Sequence, residues 1–199
     1  MTERLPRLVP PFDDPRQQAL HDALVGGRRG AGPQAFDLAA ADGSLVGPFG
    51  LMLHAPQVGE PLQALGAAVR FATSFTDRAR EVAILTVAVA TDSGFEVWAH
   101  ERVARQVGLS AAELRGIRSG TFGDDATADP VEAMVADLAR RLAERRPLDD
   151  EAYAAAVAVL GEQGLLELVV LVGYYAMMSQ LMDVFGIEAP EGGTGARPP

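Results

Sequence analysis

The chain has 199 residues, 17 basic against 27 acidic, and a net charge of −10. An acidic chain without a basic cluster is a poor partner for nucleic acid or an anionic membrane. It contains no Cys, and every basic residue is Arg, so thiol peroxidase, disulfide exchange, thiolate–metal and lysine Schiff-base chemistry have no atoms to work with.

The first twelve residues are broken by proline and lack the apolar segment of a secretory signal, so a cytoplasmic location is expected. A first helix is predicted from about Asp14 to Val25, ended by Gly26-Gly27. A loop rich in Gly and Pro follows to about Gly50. Pro56 suits the first position of a second helix, where its missing N–H costs nothing. That helix reaches about Thr73, with Val58, Leu62, Leu65 and Val69 at helical spacing. Asp77 is the predicted N-cap of a third helix, whose centre, Val82 to Val89, is apolar all round as in a core helix.

Asp92-Ser93-Gly94 breaks that helix and opens the next, which ends near Gly108. Ser110-x-x-Glu113 reads as a capping box. Asp129-Pro130 caps a long amphipathic helix to about Arg145. Further helices are predicted from Asp149 and from Glu162 to about Phe185. The longest uncharged apolar stretch, Leu168 to Met182, falls short of the roughly 20 residues that span a bilayer, and reads as a buried core helix. The expected fold is all-α with about seven to eight helices. Residues 1–46 form an N-terminal helix and extended arm, 47–188 the helical domain, and 189–199 a Gly- and Pro-rich disordered tail.

The strongest chemical signal lies in Ser93-Gly-Phe-Glu-Val-Trp-Ala-His100. Glu96 and His100 stand four residues apart and share a helix stripe with Val103 and Val107, which aims them inward. Glu81 shares an inward face with Ile84, Leu85 and Ala88. Buried carboxylates beside an imidazole form an acid–base set, because burial and opposite charge push their proton affinities apart.

Each has a structural alternative. Ser93-x-x-Glu96 is also a capping-box pattern, His100 can be a core histidine bonded to a carbonyl, and Glu81 can complement a helix dipole. His54, Ser93 and Tyr175 are candidate substrate contacts, with solvent exposure the alternative for His54 and a structural hydrogen bond for Tyr175. Trp98 lies off the Glu96–His100 face and is expected to pack at a subunit interface. Glu96 and His100, with Glu81 or His54, offer ligands for a metal, but the second His of a zinc helix is missing. No metal or cofactor is expected.

The residues Pro48-Phe-Gly-Leu-Met-Leu-His-Ala-Pro56, Arg80-Glu-Val-Ala-Ile-Leu85, Phe95-Glu-Val-Trp-Ala-His100, Val107-Gly-Leu-Ser110 and Val172-Gly-Tyr-Tyr175 occur in the order found in one family. From Gly47 to about Pro190 the chain resembles the carboxymuconolactone decarboxylase family, which includes the alkylhydroperoxidase AhpD-like proteins. The resemblance implies an all-helical fold that assembles as a homo-trimer or homo-hexamer, with the site near a subunit interface. In redox members a Cys pair stands where this chain has Ser93 and Glu96, while the family's His and upstream Glu fall on His100 and Glu81. Peroxidase activity is therefore not expected. Glu96 is similar to the Glu of non-redox members, although Val97 follows it where they have Trp, and Ala176 stands where the family often has Asn.

The resemblance implies a cofactor-independent, decarboxylase-like lyase acting on a small carbonyl or carboxylate compound such as a lactone or β-keto acid. In that reading His100 is the general acid/base, Glu96 its partner or the proton acceptor, and Glu81 the group that orients the imidazole. The alternatives are a metal-dependent lyase or hydrolase built on the same residues and a non-catalytic ligand-binding or assembly module.

Overall fold

The computed structural model describes residues 3–27, 30, 35–124 and 128–190. Among them are eight helices: α1 (Pro15–Val25), α2 (Pro48–Met52), α3 (Pro56–Phe71), α4 (Asp77–Ala90), α5 (Gly94–Gln106), α6 (Ala111–Ser119), α7 (Pro130–Ala143) and α8 (Asp150–Phe185). The only extended pairing among the described residues is an isolated bridge between Ala39 and Leu45. The fold is all-α, as the helical periodicity requires.

Capping chemistry places most helix starts. Asp14 accepts from Arg16 N–H at α1, Asp129 from Val131 and Glu132 N–H at α7, and Asp149 from Ala152 N–H at α8. Ser110 and Glu113 form the reciprocal box at α6. At α4 the cap is Thr76, whose hydroxyl accepts from Ala79 N–H, and Asp77 is the first helical residue instead. The short helix α2 falls inside the stretch expected to be loop: Pro48 fixes its first turn, and Phe49 and Met52 are buried.

α4 lies at the centre, packed against α5, α6, α7 and α8. Its run from Ala79 to Ala88 is buried on every side, which is why its sequence shows no polar face. The main core joins Leu20 and Leu24 of α1, Val69 of α3, Ile84 and Val87 of α4, Leu138 of α7, and Leu168 and Leu171 of α8. α1 thus packs into the same core as the 47–188 region. On α3 the expected apolar stripe is only half buried: Val69 is buried and Leu62 packs against the core, Val58 and Leu65 are exposed, and Pro56, Gly59 and Gly66 also face inward. Small residues there let α3 approach its neighbours closely; a Cβ on Gly59 would come within 2.4 Å of the Met52 carbonyl oxygen.

The two helices expected at the C-terminal end run together as α8, with a kink at Gly161, whose φ of 70° is open to glycine. Leu168, Leu171, Val172, Tyr175, Met178 and Met182 face the core, but Leu166, Val169, Val170, Met177 and Val184 are exposed. α8 is therefore buried along one face only. By length and composition it is long and apolar enough to cross a membrane, with 33% of its most apolar window buried. Of the expected tail, residues 191–199 lie outside the described residues, while Ala189 packs against the cluster of Phe95, Trp98 and Met182.

Candidate active site

α4 and α5 meet at a reversal that Asp92-Ser93-Gly94 makes possible, and their facing sides carry Glu81 and His100. His100 Nδ1 donates to Glu81 Oε2 at 2.7 Å. The other ring nitrogen, Nε2, lies 3.3 Å from Glu96 Oε2, one turn earlier on α5. All three side chains are buried, with residue exposures of 2%, 4% and 6% for Glu81, Glu96 and His100. The imidazole is thus held between two carboxyl groups.

This geometry decides the local alternatives. Ser93 occupies the N-cap of α5 but its side chain makes no capping hydrogen bond. Glu96 turns to His100 instead of back to Ser93, so the second capping-box pattern is not realised. His100 makes its polar contacts to carboxyl groups, not to a carbonyl. Glu81 is spoken for by His100 and by Arg70, whose Nη1 lies 3.5 Å from Glu81 Oε1.

Burial alone pushes the Glu81 carboxyl up, but His100, Arg70 and Arg80 outweigh it and hold the group below the usual carboxylate range. Burial likewise works against a charged imidazole, yet Glu81 and Glu96 prevail and raise His100 above its ordinary value. Both shifts favour the charged pair, carboxylate beside imidazolium, held through Nδ1. That leaves Nε2 and Glu96 as the groups able to exchange a proton.

A cavity of about 220 Å³ opens onto this pair. Glu96, His100 and Arg70 supply its polar wall, and Phe36, Phe49, Phe71, Phe95, Tyr174 and Tyr175 its aromatic one. Tyr175 stands edge-on to the His100 ring, with centroids 5.2 Å apart, and hydrogen-bonds Arg70. Of the candidate substrate contacts, Tyr175 lines the cavity. Ser93 is buried outside its lining, and His54 lies away from it, paired with the Pro6 carbonyl oxygen at 3.0 Å. Ala176 packs against the main core and is not part of the wall. Trp98 is buried within its own chain, against Phe36 and Phe95, with the Arg102 guanidinium 4.4 Å above it.

Arg70 and Phe36 are among the wall residues that sequence reasoning misses. Arg70 ends α3 and has no neighbouring pattern to distinguish it from the other arginines. Phe36 lies in the arm before α2, where the Phe itself is the only signal. Gly47, with a φ of 66°, lets the arm pass over Phe95; a Cβ there would fall 2.2 Å from the Phe95 ring.

A larger cavity, about 1210 Å³, lies among α4, α6, α7 and the start of α8. Three of its charged residues are committed to one another: Arg78 bonds Glu113 at 2.6 Å and Glu132 at 2.9 Å. The Ser110 backbone N–H, followed by Arg78, brings Glu113 down to about 2. This network ties helices together. Among the described residues no group of three His, Asp or Glu side chains is arranged to hold a metal ion. Glu81 and Glu96 approach opposite nitrogens of one ring and do not converge on a point.

Residues 56–129 match the Carboxymuconolactone decarboxylase family. Over that segment the chain is similar to the family, and it carries no Cys. The matched segment holds Arg70, Glu81, Glu96 and His100, the polar residues of the site. Solved structures agree on the fold. An uncharacterized peroxidase-related protein with an alkylhydroperoxidase AhpD core, from Ralstonia eutropha JMP134, superposes with a TM-score of 0.70 at 13% identity, covering 98% of this chain and 97% of its own. The debrominase Bmp8, in complex with 2,3,4-tribromopyrrole, gives a TM-score of 0.68 at 9% identity over 93% of this chain and 91% of its own. A protein of unknown function from Agrobacterium tumefaciens, described as a candidate AhpD antioxidant defence protein, gives 0.63 at 15% identity over 70% and 95%. Among curated protein sequences nothing matches.

Proposed function

We propose that this AhpD-like chain is an enzyme of acid–base chemistry, moving a proton to or from the carbon beside a carbonyl in a small molecule. One observation carries the reading: His100 sits between Glu81 and Glu96, buried, at the edge of a cavity sized for a small ligand. Glu81 holds the imidazole by Nδ1 and keeps it charged. Glu96 accepts the proton from carbon, the C–H electron pair enters the enolate, and His100 Nε2–H donates to the enolate oxygen. The reverse sequence protonates the carbanion left when carbon dioxide departs, so decarboxylation of a lactone or β-keto acid uses the same groups. Such transfer contributes about 10²–10⁴-fold, and no cofactor enters the scheme.

The test is solvent-deuterium incorporation into a panel of small keto acids and lactones, followed by proton NMR. The wild-type chain should label at least one of them, and His100→Gln and Glu96→Gln should each lose about 10²–10⁴-fold with unchanged helical circular dichroism. Full labelling by both variants would sink the reading.

We also propose that the chain assembles as a homo-trimer or homo-hexamer. In support, Leu166 (65% exposed), Val169, Val170, Met177 and Val184 (53% exposed) form one stripe along α8. An apolar stripe of this length on an otherwise acidic surface is the kind of face that a second copy covers.

A further inference from the structure

Among the described residues Arg70 is the one permanent cation in the cavity wall, and the carboxylate nearest to it is shared. Its side chain is 19% exposed, and it leans on Glu81 Oε1 at the long distance of 3.5 Å. The same carboxylate gives its other oxygen to His100 at 2.7 Å. Glu81 therefore serves His100 as well as Arg70, the imidazole has the shorter bond, and Glu96 acts on Arg70 only through space. The Tyr175 phenol is a second partner for the guanidinium, and the Phe71 ring lies 5.7 Å from it. These contacts leave donors of the five-donor guanidinium fork to the cavity that Arg70 lines. A cation taken out of water is stabilised best by an anion that meets the fork in its plane.

We propose that Arg70 is the specificity-determining residue of this cavity, binding the carboxylate of a small, flat carboxylic acid and discriminating against its neutral analogues. Two carboxylate oxygens match the guanidinium fork, a match that lysine cannot reproduce. The aromatic walls suit a planar body. Arg70 and His100 hold opposite oxygens of one carboxylate, so an anion on the guanidinium lies within a small molecule's length of His100 and Glu96. Resting on the acid–base reading above, the anchored carboxylate is the group retained, because a cation bound to a departing carboxylate stabilises the ground state and opposes its loss. The reacting carbon is then its neighbour.

The experiment compares benzoate with benzamide, which share a ring and differ in charge. Binding is followed through the His100 imidazole NMR signals, identified by their loss in His100→Gln. In the wild-type chain benzoate should bind about 10–100-fold more tightly than benzamide, the range for a hydrogen bond to a charged group. Arg70→Met should erase that preference by weakening benzoate alone, and Arg70→Lys should restore it in part. Benzoate binding no more tightly than benzamide to the wild-type chain, or an Arg70→Met variant that keeps the preference, overturns the assignment. The wild-type comparison stands even if the variants fail to fold. Charge discrimination without deuterium labelling of any carbonyl compound would retain the anchor and reject the acid–base reading. Equal labelling of charged and neutral compounds, without charge discrimination, would do the reverse.

Discussion

His100 and Glu81 carry a signature that titration reads directly. Folding raises the proton affinity of His100 above its ordinary value of 6.5 and lowers that of Glu81 below 4.5. A raised imidazole lends stability that is fully present below 6.5 and is lost as pH climbs through the folded value. A lowered carboxylate lends stability that is present above 4.5 and is lost as pH falls through the folded value. The pair therefore stabilises the fold across a window spanning both ordinary values, and weakens it on either side. Thermal melting against pH should show an alkaline decline in the wild-type chain that His100→Gln flattens. An unchanged alkaline limb in that variant would mean that His100 is not the titrating group.

At the scale of the element, two identical-looking signals had different fates. Ser93-x-x-Glu96 and Ser110-x-x-Glu113 are the same pattern in the sequence, yet only the second closes into a box. At α6 Glu113 is half-buried and serves both partners, Oε2 accepting from the Ser110 backbone N–H at 2.7 Å and Oε1 from the Arg78 guanidinium at 2.6 Å. At α5 the buried His100 offers Glu96 a competing donor, and the tertiary contact wins. Ser110→Ala should cost about 1 kcal/mol. Ser93→Ala, losing no capping bond, should stay within about 0.5 kcal/mol; urea denaturation of the two variants measures the difference.

Helix starts were legible wherever a short polar side chain capped a following periodic run, as at Asp14, Asp129 and Asp149. α2 was not, because five residues are too few to display a period. The α3 face was legible in part, through Leu62 and Val69; Gly59 and Gly66 pack by being small, and hydrophobicity does not register that. The Glu81–His100 contact crosses from α4 to α5, and sequence spacing implied it only by giving both residues an inward face. Arg70 and Phe36 enter the site from α3 and from the arm, where no periodic signal links them to α5.

For the whole molecule, α4 explains why the fold coheres: it is the one helix that touches the site helix, the core helices α7 and α8, and the peripheral α6. α8 explains what the single chain leaves unfinished. Native mass spectrometry on untagged protein should show a trimer or hexamer. Leu166→Arg with Val170→Arg should shift it to monomer while the circular dichroism stays helical. A wild-type monomer would remove the assembly and leave the stripe to another partner.

Phe36 stands apart from the other walls of the cavity. Its ring is held by side chains, 5.2 Å from Trp98 and 6.3 Å from Phe95, on a segment with no helical hydrogen bonds of its own. The α3, α5 and α8 walls are locked by their backbones, and α3 and α5 carry Arg70, Glu96 and His100. The Phe36 side is not tied by a helical backbone, so Phe36→Ala is expected to admit larger ligands without disturbing Arg70, Glu96 or His100.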